Sequence, residues 1–94
     1  MGSEEVVSKV FMIKNKLGLH ARAAALFVRV SNKFSSDIKL IKDGYEVNGK
    51  SILGVLSLAA IQGSEVKIVT TGQDAEEALS EIEKLIENRF GENE

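Results

Sequence analysis

Apolar and polar residues follow seven successive patterns along this chain, and the period of each one selects an element. Val6-Val7-Ser8-Lys9-Val10-Phe11-Met12-Ile13 is dense in β-branched and apolar residues, which suits a half-buried strand although the alternation is imperfect. A polar, glycine-containing loop covers residues 14–19. From Ala21 to Phe34 the period becomes helical: Ala24, Phe27, Val28 and Ser31 share one face, with Leu26, Val30 and Phe34 flanking it. His20 stands at the mouth of this helix.

Asp37-Ile38-Lys39-Leu40-Ile41-Lys42 and Tyr45-Glu46-Val47-Asn48 flank Asp43-Gly44, a dipeptide able to supply the positive φ angles of a two-residue hairpin turn. Ser51 then caps a short apolar helix running to Ala60, which Gln62-Gly63 ends. In Glu65-Val66-Lys67-Ile68-Val69-Thr70 the pattern is again that of a strand, with Val66, Ile68 and Thr70 on one face. In the last block Ala75, Ala78, Leu79, Ile82, Leu85 and Ile86 form an apolar helical stripe, and Gly91 is the stop. Asp74 with Glu77 three residues later predicts a capping box at its start. The order β-α-β-β-α-β-α predicts an α+β fold with helices layered on one face of an antiparallel sheet.

At 94 residues the chain supports one domain with one modest core, so 1–94 is read as a single unit. Residues 1–5 read as a disordered terminus or an expression remnant. Without cysteine, and with one histidine, the chain offers neither disulfides nor a thiolate or histidine-cluster metal site, and no cofactor is called for. No apolar run approaches the ~18 residues of a membrane span, and the first five residues lack the regions of a signal peptide. These features predict a soluble, cytoplasmic protein with no direct membrane insertion.

The net charge of −2 conceals an asymmetry. Residues 1–50 carry nine Lys/Arg against five Asp/Glu, whereas residues 51–94 carry three against nine. Lys14, Lys16, Arg22 and Arg29 surround the histidine, so the basic half would draw a phosphate or an acidic protein surface. Nucleic acid is disfavoured, because no long basic run or closely spaced aromatics accompany these charges.

A helix N-terminus presents backbone N–H groups and positive partial charge, and neutral imidazole has a ring nitrogen able to attack phosphorus. With His20 as N-cap, the N–H groups of Ala21 and Arg22 can meet phosphoryl oxygens, and the Arg22 guanidinium can add charge-assisted bonds. Local residues alone favour an ordinary polar residue at a helix start, and also allow an anion site without chemistry. Ser51 likewise needs no role beyond its cap. The helix behind it is apolar around nearly its whole circumference, so some of Ile52, Leu53 and Leu56 are expected to be exposed as a partner surface. Phosphate on Ser51 would place about two negative charges at that rim.

Gly18-Leu19-His20-Ala21-Arg22, Asn48-Gly49-Lys50-Ser51-Ile52-Leu53-Gly54-Val55-Leu56 and Gly63-Ser64-Glu65-Val66, in this order and spacing, resemble the histidine-containing phosphocarrier (HPr) family of the bacterial phosphoenolpyruvate-dependent sugar phosphotransferase system. The resemblance covers the chain from about Val6 to Gly91. It implies an open-faced β-sandwich, three helices on one face of a four-stranded antiparallel sheet. It implies that His20 carries a phosphoryl group on Nδ1, taken from phosphorylated enzyme I and handed to enzyme IIA components of sugar permeases, with Arg22 as charge partner. Ser51 matches the family's regulatory serine, the target of an HPr kinase/phosphorylase, and Ile52, Leu53, Gly54 and Leu56 match its docking surface.

The chain would then be a stoichiometric phosphoryl-transfer intermediate, most simply a monomer, rather than a turnover enzyme. A nitrogen-related phosphocarrier and a regulatory module switched by Ser51 are the alternatives, and the intact His20 argues against a relative that has lost it. One departure is plain: Ala23 stands where the family usually has proline. Alanine constrains the helix start less, but as a good helix former it should preserve the geometry.

Overall fold

A computed structural model describes residues 4–93 of the chain. The elements are β1 (Glu5–Met12), α1 (Ala21–Ser31), β2 (Asp37–Lys42), β3 (Tyr45–Asn48), α2 (Ile52–Ser57), β4 (Glu65–Gly72) and α3 (Ala75–Glu87), followed by a short 3₁₀ turn at Arg89–Gly91. Of the segment expected to be disordered or a remnant, residues 1–3 lie outside the described residues. Glu5 departs from that expectation. It opens β1 opposite Gly72, because β4 continues far enough to extend the ladder to it.

The sheet has the order β1-β4-β2-β3 and every neighbouring pair is antiparallel. Period-two alternation turns Phe11, Ile38, Leu40, Val47, Val66, Ile68 and Thr70 inward, while Val6, Val10, Met12, Lys39 and Lys67 stay exposed. Ala23, Ala24, Phe27 and Val28 of α1, Val55 of α2, and Ala78, Leu79, Ile82 and Ile86 of α3 close the core over the inward face. Each large side chain buried there contributes about 1.5–3 kcal/mol. The architecture is therefore the expected open-faced sandwich of three helices on four strands. The hairpin also stands where the residues place it, with φ of 52° at Asp43 and 81° at Gly44.

Three boundaries move. β1 ends one residue before Ile13, which instead exchanges backbone hydrogen bonds with Ser64 and Gly63. α1 stops at Ser31 rather than Phe34, since Lys33 and Phe34 donate to the carbonyls of Val30 and Ser31 in tighter turns. α2 ends at Ser57 rather than running to Ala60. Ala59 adopts a left-handed φ of 51°, and the reversal buries Leu58 and Ala60 while leaving Ile61 exposed.

The capping box at α3 does not form. Asp74 makes no side-chain cap bond; its carboxylate reaches across to the loop before β2. There it accepts from the backbone N–H groups of Ser35 and Ser36, both at 3.0 Å, and from the Ser36 hydroxyl. Tertiary donors satisfy the acidic oxygens more completely than a cap would, and they tie α3 to the end of α1. The Ser36 hydroxyl first, then the Ser35 N–H, hold the Asp74 carboxyl down from 3.8 to about 2. A carboxyl lowered on folding contributes stability above its unfolded value, and that contribution is lost as pH falls from about 3.8 through about 2. Denaturant titrations should therefore show Asp74→Asn less stable than the parent near neutral pH, with the difference shrinking across this acid window. A difference that stays constant into acid would remove the role assigned to the carboxylate.

Candidate functional site

The loop before α1 is shaped by one close backbone approach. Gly18 has φ +69°, and a Cβ there would lie 2.4 Å from the Ala60 carbonyl oxygen. Glycine alone fits, and the next residue, Leu19, donates its N–H to that same oxygen at 2.9 Å. This contact lays the loop against the chain leaving α2, so that both halves of the predicted site meet.

His20 is the N-cap of α1, with extended backbone (φ −78°, ψ −178°), and its carbonyl accepts from Ala24 at 2.8 Å. The N–H groups of Ala21, Arg22 and Ala23 therefore have no intrahelical acceptor. The imidazole makes no cap bond to them. Its side chain is 29% exposed, which keeps the ring reachable by a partner while one edge is engaged.

That edge meets a residue the sequence did not single out. Nε2 of His20 lies 2.6 Å from Oε2 of Glu92. The other carboxylate oxygen accepts from Nδ2 of Asn15 at 3.0 Å, and the same amide nitrogen donates to the Gly18 carbonyl at 2.8 Å. Asn15 is wholly buried, so it fixes the carboxylate from beneath. Burial pushes the Glu92 carboxyl up, but hydrogen bonds from His20 and Asn15, with the charges of His20 and Arg22, outweigh it and hold the group below its ordinary value.

Glu92 arrives there through a left-handed turn. Arg89, Phe90 and Gly91 all have positive φ, of 54°, 54° and 75°. For the two non-glycine residues this costs roughly 1–2 kcal/mol each. Burial of the Phe90 ring, 1% exposed, returns about 1.5–3 kcal/mol, and the Glu92 contacts add to it. Only the apolar Phe90 and the stop at Gly91 hint at this turn in the sequence. The contact to His20 spans 72 positions and leaves no local signal.

Arg22, expected to meet phosphoryl oxygens, is exposed and, among the described residues, forms no hydrogen bond or ion pair with His20; its charge contributes to the lowering of the Glu92 carboxyl. Ser51 caps α2 as expected, its Oγ accepting from the Gly54 N–H at 3.0 Å. Ile52 and Leu53 are exposed, Leu53 to 79%, while Leu56 is half-buried against the core. Leu17 and Ile61, which flank the Gly18–Ala60 contact, are also exposed apolar residues. A single apolar residue in a polar loop has no periodicity and so gives no signal in the sequence. A cleft of about 330 Å³ opens between Lys16, Leu17, Glu92 and Asn93. A larger depression of about 460 Å³, lined by residues including Ser35, Asp37 and Gln73, holds no imidazole and lies apart from this site.

Residues 7–88 match the family model described as the PTS HPr component phosphorylation site. Phosphocarrier protein HPr of Treponema pallidum (strain Nichols) is 46% identical over 87 residues, covering 93% of this chain and 99% of that protein. The crystal structure of HPr from Thermoanaerobacter tengcongensis superposes with a TM-score of 0.91 at 50% identity, covering 94% of this chain and 99% of that one. Crh of Bacillus subtilis, a catabolite-repression protein whose crystal structure is described as a domain-swapped dimer, gives a TM-score of 0.72 at 44% identity, with 84% and 91% covered.

Helix α1 begins at Ala21 with Ala23 in the third position, so the helix start forms without proline. The Ala23 N–H has no acceptor among the described residues, and a proline there sacrifices no hydrogen bond. Ala23→Pro should stabilise the chain by roughly 0.5–1 kcal/mol, a few degrees in Tm, through the unfolded state. Ala25→Pro, one turn into the helix, should instead cost about 3 kcal/mol. Thermal denaturation of the two variants checks the contrast.

Proposed function

The chain belongs to the histidine-containing phosphocarrier (HPr) family of the phosphotransferase system, and we propose that His20 is the residue through which it carries the phosphoryl group. In this reading the group arrives from phosphorylated enzyme I and leaves for the enzyme IIA domains of sugar permeases. The observation that carries the reading is the partly exposed imidazole at the mouth of α1, beside backbone N–H groups that have no acceptor among the described residues, with exposed apolar residues nearby. A carrier needs a nucleophile that a partner's active site can close over, and this arrangement supplies one.

Transfer is an in-line displacement. The Nδ1 lone pair forms the new bond to phosphorus as the donor's bond to it breaks, and that electron pair stays with the donor. The N–H groups of Ala21 and Arg22 and the Arg22 guanidinium meet the phosphoryl oxygens as charge gathers on them. The reverse displacement passes the group onward. Most of the catalysis belongs to the partner enzymes, and Leu17, Ile52, Leu53 and Ile61 provide the apolar surface on which they dock. A nitrogen-related phosphocarrier would use the same His20 and Arg22, and the acceptor protein distinguishes the two. No helix among the described residues is long and apolar enough to cross a membrane. The carrier reading puts the chain in the cytoplasm with its partner proteins, as a monomer whose successive partners share one face.

A second reading concerns Ser51. Its hydroxyl oxygen sits at the rim of the Ile52–Leu53 surface and already accepts from the N–H of Gly54. A phosphate placed there by an HPr kinase/phosphorylase would keep backbone donors at hand while setting charge against an apolar interface. The similarity to a catabolite-repression protein favours such a regulatory use.

Incubation with phosphoenolpyruvate and enzyme I should add one acid-labile phosphate, lost entirely in His20→Ala. Arg22→Ala should retain the modification at a rate lower by roughly 10-fold. Phosphate appearing on the His20→Ala protein would refute the assignment. Ser51→Asp should weaken binding to enzyme I by roughly 10-fold in calorimetry while His20→Ala binds normally; equal affinities for Ser51→Asp and the parent would reject the switch.

A further inference from the structure

An imidazole has two nitrogens, and a phosphoryl acceptor must present one of them with its lone pair free. The neutral ring carries a single proton, so whatever engages one nitrogen decides the chemistry of the other. In this chain Nε2 faces a carboxylate oxygen at 2.6 Å. An ionised carboxylate only accepts hydrogen bonds, which requires Nε2 to be the donor. Among the described residues Nδ1 has no hydrogen-bond partner.

We infer that Glu92 is a positioning residue for phosphoryl transfer: by accepting from Nε2–H it sets the tautomer and ring orientation that leave Nδ1 as the nucleophile. The inference rests on the reading of His20 as the carrier and extends it to a residue beyond the stretch 7–88 that the family model matches. Three features show that the contact is built into the fold. Both carboxylate oxygens are engaged, one by the ring and one by Asn15. Asn15 is itself buried and tied to Gly18, two residues before the histidine. The backbone delivering Glu92 runs through Arg89 and Phe90, two left-handed non-glycine residues held by the buried Phe90 ring.

The step balances without a proton transfer. Nδ1 attacks phosphorus, the donor keeps the electron pair of the broken bond, and the ring retains its Nε2 proton. The product is a phosphoryl-imidazolium whose positive charge lies against the Glu92 carboxylate, which stabilises it as a carboxylate behind a histidine does in hydrolytic triads. When the group departs, the ring returns to the same tautomer and is ready for the next cycle.

The test uses the full chain labelled with ¹⁵N. Long-range ¹H–¹⁵N spectra of the neutral ring report which nitrogen bears the proton, and single-turnover phosphorylation by enzyme I reports the rate. The parent should hold the proton on Nε2. Glu92→Ala should populate the Nδ1–H form and slow acceptance on the order of 10-fold. Glu92→Gln, whose amide oxygen still accepts from Nε2–H, should keep the parent's tautomer and recover most of the rate. An unchanged tautomer in Glu92→Ala, whether or not its rate falls, overturns the inference. Should the parent itself take no phosphate on His20, the carrier reading fails, while the tautomer comparison still decides what Glu92 does to the ring.

Discussion

The pairing of β4 with β1 on one side and β2 on the other joins strands that are far apart in sequence, and the remaining elements are hung from it. Val66, Ile68 and Thr70 on its inner face are buried between neighbours on both sides, so the central strand has no tolerance for a register slip. With β1 and β4 in register, the loop after β1 lies beside the loop before β4, where Ile13 exchanges hydrogen bonds with Ser64 and Gly63. The Gly18–Ala60 contact extends the same juxtaposition by a few residues. The site is therefore the end of a zipper whose teeth are the β1–β4 ladder.

One-sided burial explains the division of labour between the helices. α1 and α3 have distinct polar faces, and each buries its apolar stripe on the sheet. α2 has six residues and is apolar nearly all round, so the sheet can absorb Val55 while Ile52 and Leu53 face solvent. In the proposed reading, an apolar surface near the His20 imidazole would let a partner exclude water from the transfer without this small chain having to enclose a substrate.

Helix α3 and the turn after it are held in place by contacts spread along the chain. Asp74 holds the start of α3 to the loop after α1, and Lys9 and Lys14 pair with Glu83 and Glu87 along the same helix. These surface pairs contribute little individually. Together with the buried Phe90 they determine where α3 finishes, and therefore where Glu92 emerges. A carboxylate placed by a buried ring and a buried amide is a more rigid partner for imidazole than one on a free terminus.

Local chemistry was sufficient for much of this. The Asp43-Gly44 hairpin, the Ser51 cap, His20 at the head of α1 and the apolar excess of α2 depend on neighbours within a few positions, and periodicity or side-chain type reports them directly. The residue types also limited the chemistry to a single imidazole beside basic charge. Tertiary structure alone decided the rest. Asp74 left its predicted capping box because better donors arrived from Ser35 and Ser36, and α2 stopped early because Ala59 turned the chain to bury Leu58 and Ala60. Glu92 reached His20 across the whole sequence because the strand order and the left-handed turn at Arg89–Gly91 brought it there. Such a contact has no period and no local propensity, and so it exists only once the chain is folded.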